Sequence, residues 1–484
     1  MMTLPVHLAV VLTVWVTLLG SSACLAQPST SLPNARYFVG FRDFFDGEYL
    51  DAERTFRRNS SSAFRVGENR YLDSICYWTM QAECYYHMGN YAQAIELYEQ
   101  ALNLYLDHQQ DGWQKNIETR SISIQQDTAA VARARITWGA SKRVKGVARV
   151  PDGFQVRFGN RDVIAVLQQG GVLQNAQNRL VNVTEIMRCV SLCLHRRRVI
   201  KGPMTKIDPL TTKLVNSLRT SAAGNKTILE CYNGICLGIA YASQEEWAKA
   251  SSTMKGSLEL SGNLDHPLTP VGLLELAYIG LSIENDSPTA QLALEASYSA
   301  AMFSQYDLVA EALTLGTMVH LKKNRSAYPP LRNSIAWGRQ KDASLLEATS
   351  IVRLAECLSE AGELNLSQQV LKQSSQVINR RNDLPQAVIG ARAKYVTALN
   401  QFLAADFSGG SKSLNAAMKH FNTGSLWIYR LQLTNQLAAG GANARQIDQL
   451  YTALLHDPTD LDWKLDPFEA VSYTHLTLPT IYSV

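Results

Sequence analysis

The chain has 484 residues, of which 46% are hydrophobic and 18% are charged, and its formal net charge at pH 7 is +4. This apolar content excludes a disordered chain, and beyond the N-terminal segment no stretch is apolar for long enough to cross a bilayer as a helix. The length exceeds what one compact core accommodates. We therefore expect a repeat array, because each repeat in an array buries its own part of the core.

The N-terminus carries the apolar segment LAVVLTVWVTLLG, followed by SSACLAQPSTS. The length of the apolar core and the small residues Cys24 and Ala26 predict a signal peptide over residues 1–26, with cleavage near Ala26. We therefore expect export to the periplasm or cell envelope. A lipoprotein anchored through Cys24 is an open alternative, although Ser21 stands where a lipobox usually has an aliphatic residue.

Two helix pairs are predicted over residues 33–108. In the second pair, apolar residues at helical spacing flank Gly89 on both sides. Gly89 suits the left-handed position that ends a helix, and Asn90 with Gln93 predicts a capping box at the start of the next helix. The recurring positions are Trp78, Ala82, Tyr85, Gly89, Tyr91, Ala94, Tyr98 and Ala101, preceded in the first pair by Tyr37, Phe41, Phe44, Gly47, Tyr49, Ala52 and Phe56.

These positions resemble the signature of the tetratricopeptide repeat, here of an exported bacterial type. The resemblance implies antiparallel helix pairs that stack into a right-handed superhelix, whose concave groove binds a peptide or a partner protein. In the family, groove-facing positions of the first helix of each pair do the binding. The carboxylate clamp of lysine and asparagine that some members use is not present at these positions. The implied groove residues are Thr79, Glu83, Tyr86, Ile235 and Ile239.

Residues 109–220 form a basic segment that does not follow the repeat. Positions 111–220 contain 19 Lys and Arg against 7 Asp and Glu. The first part predicts long loops with short strands, and the second predicts an amphipathic helix from about Thr184, with a partner helix in DPLTTKLVNSLR.

The basic side chains of this segment have two interpretations. They form a docking patch for an acidic partner, phosphate groups or an envelope polymer, or they cover acidic repeats and complement a helix dipole. A nucleic-acid partner is disfavoured because few aromatic residues are interleaved and no recognition module is present. The patch would consist of Lys142, Arg143, Lys145, Arg149, Arg196, Arg197 and Arg198.

Residues 225–466 again predict helical repeats, with the clearest copy at 231–260 and more degenerate copies at 355–374 and 395–417. Several weak copies in a row favour a repeat array over a single bundle. The predicted fold class is therefore mainly α: a solenoid of antiparallel helix pairs with a basic, loop-rich insertion. An ordinary helical bundle with aromatic cores is the alternative.

No catalytic or metal-binding motif stands out. The sequence has no HExxH, no P-loop and no GxSxG elbow, and its nine histidines are dispersed. The cysteines show no disulfide framework, and most lie in apolar helical patterns typical of buried thiols. We therefore expect no cofactor, no bound metal and no enzymatic activity.

The leading functional hypothesis is a non-enzymatic scaffold that binds a protein or peptide outside the cytoplasm. The first alternative is a structural envelope protein that docks to an acidic polymer or membrane surface through its basic segment. The second is the docking arm of a truncated larger enzyme. This alternative arises because residues 471–484, VSYTHLTLPTIYSV, lack a helical period and resemble translated sequencing-adapter read-through, which predicts a non-native tail.

Overall fold

The computed structural model describes most of the chain. The predicted signal peptide (1–26) and the predicted non-native tail (471–484) lie outside the described residues, as do Lys142, Arg143 and Lys145. The described ranges are 31–66, 68–110, 113–116, 125–127, 130, 134–138, 146–150, 153–158, 177–221, 228–262 and 264–456.

Eighteen α-helices and seven short strands lie within these residues. The helices are α1 Gly40–Asp46, α2 Tyr49–Ser60, α3 Asp73–His87, α4 Tyr91–Gln110, α5 Val183–Lys201, α6 Pro209–Ser221, α7 Ile228–Ser243, α8 Trp247–Leu260, α9 Thr269–Ser282, α10 Asp286–Met302, α11 Tyr306–Leu321, α12 Pro330–Gln340, α13 Ser344–Glu360, α14 Leu364–Ile378, α15 Val388–Leu403, α16 Phe407–Gly424, α17 Leu426–Ala439 and α18 Ala444–His456. The strands are β1 Arg65–Val66, β2 Asn69–Arg70, β3 Gln125–Asp127, β4 Gly146–Arg149, β5 Phe154–Phe158, β6 Gln177–Val181 and β7 Leu264–Asp265.

Many turns between consecutive helices share a left-handed residue. Gly89 has φ +77° between α3 and α4, as its position in the sequence predicts. The Asn90 side chain accepts a bond from the Gln93 amide at 3.4 Å, which confirms the capping arrangement. Later turns place residues with a Cβ in the same left-handed region, although this costs free energy relative to glycine. These residues are Glu245, Glu284, Ser304, Asp342 and Ala405.

The helix pairs stack into a solenoid with an inner and an outer layer. Helices α3, α5, α7, α9, α11, α13 and α15 contact one another in this order and form the inner layer. Small buried residues such as Ala82, Ala94 and Ala101, all 0% exposed, allow close approach within a pair, and Tyr98 fills the space beside them. The predicted mainly α, repeat-built fold is confirmed.

Helix α5 is more deeply placed than its sequence indicates. It begins after Asn182, whose side chain accepts from the Glu185 amide at 2.9 Å. The prediction of an amphipathic helix is wrong, because every side chain from Ile186 to Ile200 is buried. Helices α3, α4 and α7 pack around α5, so no face of it remains exposed over these residues. This part of the basic segment lies inside the stack.

Both ends of the described stack contact elements that are far away in the chain. Near the N-terminus, Asp46 pairs with Arg381 at 2.9 Å, and the Leu50 amide donates to Asp383 at 2.7 Å. Near the C-terminus, Arg430 of α17 donates to the backbone carbonyl groups of Val199 and Ile200, at the end of α5. These contacts close the solenoid on itself, so the inner helices surround a common axis.

The described strands are short additions to this helical body. Strands β5 and β6 pair antiparallel, β4 lies between β3 and β7, and β1 pairs with β2. In the described part of the basic segment, Trp138 donates to Ser297 of α10 at 3.0 Å and packs edge-on against Trp337 of α12. This part of the segment therefore covers the outside of the later helix pairs.

Candidate functional site

A cavity of about 100 Å³, partly open to solvent, lies where the inner helices converge. Helices α3, α5, α9, α11, α13 and α15 all contribute to its wall. A cavity of about 150 Å³ can hold a benzene-sized molecule, so this central cavity has room for one side chain or small group. Four tyrosine rings line it, from Tyr49, Tyr86, Tyr91 and Tyr278.

Arg196 of α5 ties together acidic groups from two other inner helices. Its Nε donates to both carboxylate oxygens of Glu83 at 3.0 and 3.1 Å, and its Nη1 pairs with Glu311. Its guanidinium lies 4.3 Å from the centre of the Tyr86 ring. Only 1% of the Arg196 side chain is exposed, so these partners replace nearly all of its hydration.

His195 bridges two buried carboxylates. Its Nδ1 lies 2.6 Å from Glu275 Oε1, and its Nε2 lies 2.9 Å from Glu311 Oε1. Ionised carboxylates only accept hydrogen bonds, so both ring nitrogens must donate and the ring is an imidazolium. Burial disfavours the charged ring, but Glu311 and Glu275 outweigh burial and raise the pKa of His195 above its ordinary value.

Arg198 completes the cations of this cluster by pairing with Glu275 at 2.7 Å. Among the described residues, the cluster contains four carboxylates and three cations, so its formal charge is negative. Burial and repulsion from Glu83 raise the pKa of Asp307 to about 6. We refer to this cluster as the axial network; its members are His195, Arg196, Arg198, Glu83, Glu275, Asp307 and Glu311.

Arg197 points away from the axial network, although it adjoins Arg196 in the chain. It pairs with Asp208 at 2.6 Å and with Glu99 at 3.0 Å, and it donates to Thr211 at 2.7 Å. Lys201 shares the same two acidic partners. The contacts of Arg197 and Lys201 join α5 to α4 and to the start of α6.

The opposite side of the cavity carries a second arginine cluster. Arg353 of α13 donates to Glu356 at 2.9 Å, and Arg392 of α15 also pairs with Glu356. Burial opposes ionisation of Glu356, but Arg392 and Arg353 hold its pKa below the ordinary value. Arg353 and Arg392 both line the cavity. We refer to Arg353, Arg392 and Glu356 as the arginine wall.

The five predicted groove residues separate into three groups. Ile235 and Ile239 are 0% exposed, and so is Thr79, whose hydroxyl contacts the Cys193 sulfur at 3.1 Å. Glu83 is equally buried and belongs to the axial network. Tyr86 lines the cavity. Four of the five predicted groove residues are therefore buried within the closed solenoid, and their role in partner binding stays a prediction.

The predicted basic patch does not form a surface at α5. The side chains of Arg196, Arg197 and Arg198 are 1%, 2% and 4% exposed and pair with acids inside the stack. Arg149 is exposed at the end of β4. The other three members of the patch lie outside the described residues.

Sequence reasoning missed several residues of the site. The helices that carry these residues have a degenerate repeat pattern in the sequence. The residues are Asp307, Glu311, Arg353 and Arg392. Arg353 and Glu356 are three residues apart, which on a surface helix would indicate an ordinary exposed ion pair. The sequence signal for these residues is their position on the first helix of each pair, since first helices form the inner layer.

The seven described cysteines are all free and buried, as their apolar surroundings in the sequence predict. Burial raises the pKa of the Cys231 and Cys357 thiols to about 12. A thiol nucleophile requires a depressed pKa and access to solvent, so these two residues are unsuited to that role.

The comparisons with known proteins bear on one helix pair. A family model described as "Tetratricopeptide repeat" matches residues 76–108, which include most of α3 and nearly all of α4. The match supports the resemblance drawn from Trp78 to Ala101 and favours a protein-interaction scaffold. The search of curated proteins found no match.

A helix that crosses a bilayer needs about 20 consecutive, mainly apolar residues. None of the helices in the described part of the chain is both long enough and apolar enough to cross a bilayer.

Proposed function

We propose that this protein is a non-catalytic scaffold that binds an extended segment of a partner protein at the central cavity. The convergence of six inner helices on one cavity carries this proposal. Helical-repeat proteins present their concave surface to partners, and here that surface narrows to a site for a single anchoring side chain. The match to the tetratricopeptide repeat supports the same function.

The cavity lining indicates the chemistry of the anchor. Tyrosine rings provide apolar area together with hydroxyl groups, and rigid aromatic residues of this kind recur at binding hot spots. Arg353 and Arg392 add positive charge on one side, while Asp307 and Glu311 add negative charge on the other. An anchor with an apolar body and a polar tip fits this combination better than a purely aliphatic one.

A peptide-selection experiment tests the proposal. A display library of random peptides would be selected against the purified chain, and the affinities of enriched peptides measured by calorimetry. Ala310 lines the cavity, so Ala310→Leu fills it without removing a polar contact. We expect Ala310→Leu to weaken binding at least tenfold. Ala248→Leu, at an exposed position of α8, is the matched control and should leave binding unchanged.

Two results would contradict binding at the central cavity. If no peptide is enriched, or if the enriched peptides bind Ala310→Leu as well as they bind the wild type, the cavity is not the binding site. Binding that disappears between low and high salt would instead favour the polymer-docking alternative, because exposed charge interactions are screened. Thermal unfolding of both variants would verify that each is folded.

We also propose that the scaffold acts after export from the cytoplasm. The support is the apolar segment before Cys24 and the small residues up to Ala26. Fractionation of expressing cells, followed by N-terminal sequencing, would test this. A mature chain that begins after Ala26 agrees with cleavage there, and a blocked chain that begins at Cys24 indicates the lipoprotein alternative. Recovery of the uncleaved chain in the cytoplasm would contradict export.

A further inference from the structure

Three potential metal ligands meet at the edge of the axial network. Glu83 and His87 lie one helical turn apart on α3, and Asp307 lies in the first turn of α11. One ligand atom from each residue lies within 4.8 Å of the other two. His87 and Asp307 also line the central cavity, so the group faces a space that solutes can reach.

His87 presents a buried nitrogen that the described residues do not satisfy. Its Nε2 is buried and has no hydrogen-bond partner among them. The nearest carboxylate oxygen is Glu83 Oε2 at 3.8 Å, which is too distant for a hydrogen bond. Buried ring nitrogens are nearly always paired, so the His87 Nε2 atom is available to a metal ion or to a water molecule.

The orientation of the His87 ring is fixed by its neighbours. The Tyr49 ring stacks on the imidazole with centroids 5.4 Å apart, and the Phe44 ring packs at 5.5 Å. In its neutral form, the imidazole can coordinate a metal ion through Nε2.

The charge of the axial network also favours a cation here. Its four carboxylates exceed its three cations by one among the described residues. Arg196 pairs with Asp307 only as an ion pair, because its Nη2 lies 3.7 Å from Asp307 Oδ2, beyond hydrogen-bond distance. A divalent ion between Glu83 and Asp307 would offset the excess negative charge. Repulsion from Arg196 will weaken its affinity, since the guanidinium contacts the same Glu83 carboxylate.

We propose that Glu83, His87 and Asp307 form a site for a first-row divalent metal ion of the zinc type, open to the central cavity. A mixed set of one imidazole and two carboxylates suits zinc and its neighbours better than calcium or magnesium, which prefer oxygen ligands alone. Three protein ligands leave a fourth position for water or for a group of a bound partner.

Metal binding requires the three ligand atoms, which now lie within 4.8 Å of one another, to move closer together. Zinc–nitrogen and zinc–oxygen bonds of about 2.1 Å place tetrahedral ligand atoms about 3.4 Å apart. The present separation of Glu83 Oε2 and His87 Nε2 is 3.8 Å. Glu83 keeps its contacts to Arg196 and Tyr98, which orient the carboxylate as second-shell groups orient metal ligands.

Titration of the metal-free chain tests this site. The purified chain would be treated with chelator and titrated with zinc chloride by calorimetry, and with cobalt chloride by visible absorption. We expect one ion per chain, with a cobalt spectrum that lacks sulfur-to-metal charge transfer, because the buried thiols take no part. Zinc should also raise the unfolding temperature of the wild type by mass action.

Variants separate the proposed site from adventitious binding. His87→Gln and Asp307→Asn should each weaken zinc affinity at least tenfold and abolish the zinc-dependent rise in unfolding temperature. His320→Gln is the matched control, because His320 lies on α11 and bonds to Ser326 instead of facing the cavity. Unfolding temperatures without metal would show that the variants are folded.

Three outcomes would overturn the site: no stoichiometric binding, binding that His87→Gln leaves unchanged, or a cobalt spectrum with thiolate bands. Failure of the metal site is distinguishable from failure of the scaffold proposal. The Ala310→Leu comparison is made with peptide alone and needs no metal.

Discussion

The two sides of the central cavity balance buried charge in opposite ways. On the α5 side, four carboxylates of the axial network face three cations. On the arginine wall, Arg353 and Arg392 share Glu356. Buried ion pairs contribute little net stability compared with apolar packing, but the loss of one partner is costly. Both clusters therefore make the fold sensitive to the loss of a single charged partner.

The two sides also differ in how many carboxylates pair with each buried arginine. Arg196 is enclosed and makes all of its described contacts within the stack, so it acts as a fixed connector of α3, α5 and α11. Arg353 and Arg392 are nearly as buried, and all three arginines line the cavity. The difference is that Arg196 pairs with both Glu83 and Glu311. Arg353 and Arg392 instead share Glu356.

The largest expected effect is on the α5 side. Arg196→Met leaves Glu83 and Glu311 buried without their main cation, and we expect a loss of about 3–5 kcal/mol in the free energy of unfolding. Urea unfolding monitored by circular dichroism measures this loss. Arg149→Met, at an exposed arginine, is the control and should change stability by less than about 0.5 kcal/mol. Equal losses in the two variants would contradict the assignment of Arg196 as a connector.

The contrast between Arg196 and Arg149 also shows how far the sequence determines this molecule. The turn at Gly89 and the cap at Asn90 depend on residues next to each other, and both were predictable. The helix-pair pattern likewise predicted the solenoid. Arg196 instead meets Glu83 and Glu311, which lie 113 and 115 positions away in the chain. Three adjacent arginines near a helix end indicate a surface unless those partners are known.

The burial of the predicted groove residues has a related physical reason. The resemblance to the repeat family placed Thr79, Ile235 and Ile239 on first helices, but it does not show whether the inner face is open. Asp46 and Leu50 near the N-terminus contact Arg381 and Asp383, and α17 contacts α5. These closures, between residues far apart in sequence, leave only Tyr86 of the predicted set in the cavity lining.

Asp73 is a buried carboxylate outside the two clusters, and its pKa makes the stability of the fold depend on pH. Asp73, at the start of α3, accepts a bond from the Phe64 amide at 2.9 Å, and its Oδ1 has no partner among the described residues. Burial raises its pKa to about 7, although backbone hydrogen bonds and Arg70 favour the ion. The folded state therefore holds this proton more tightly than the unfolded state, in which the pKa is about 3.9.

The sign of the pH dependence follows from this shift. The stabilisation from protonated Asp73 is fully present below about pH 4 and is lost as pH rises through about 7, a change of up to about 4 kcal/mol. Asp73→Asn does not titrate, so its stability relative to wild type should increase over that interval. Urea unfolding at pH 5, 6, 7 and 8 measures the difference. A constant difference across this range would show that Asp73 is already ionised in the folded protein.

On the arginine wall, Glu356→Gln removes the shared carboxylate while preserving its shape. We expect a loss of about 2–3 kcal/mol, less than for Arg196→Met, because one carboxylate is lost here, whereas Arg196→Met leaves two buried carboxylates without their shared cation. Sulfate should restore part of this loss by binding between the two guanidinium groups, and it should stabilise Glu356→Gln more than wild type. Unfolding temperatures in sulfate and chloride at matched ionic strength measure the excess. If sulfate stabilises Glu356→Gln, Arg196→Met and wild type equally, Arg353 and Arg392 do not form an anion site when the Glu356 carboxylate is lost, and the prediction is contradicted.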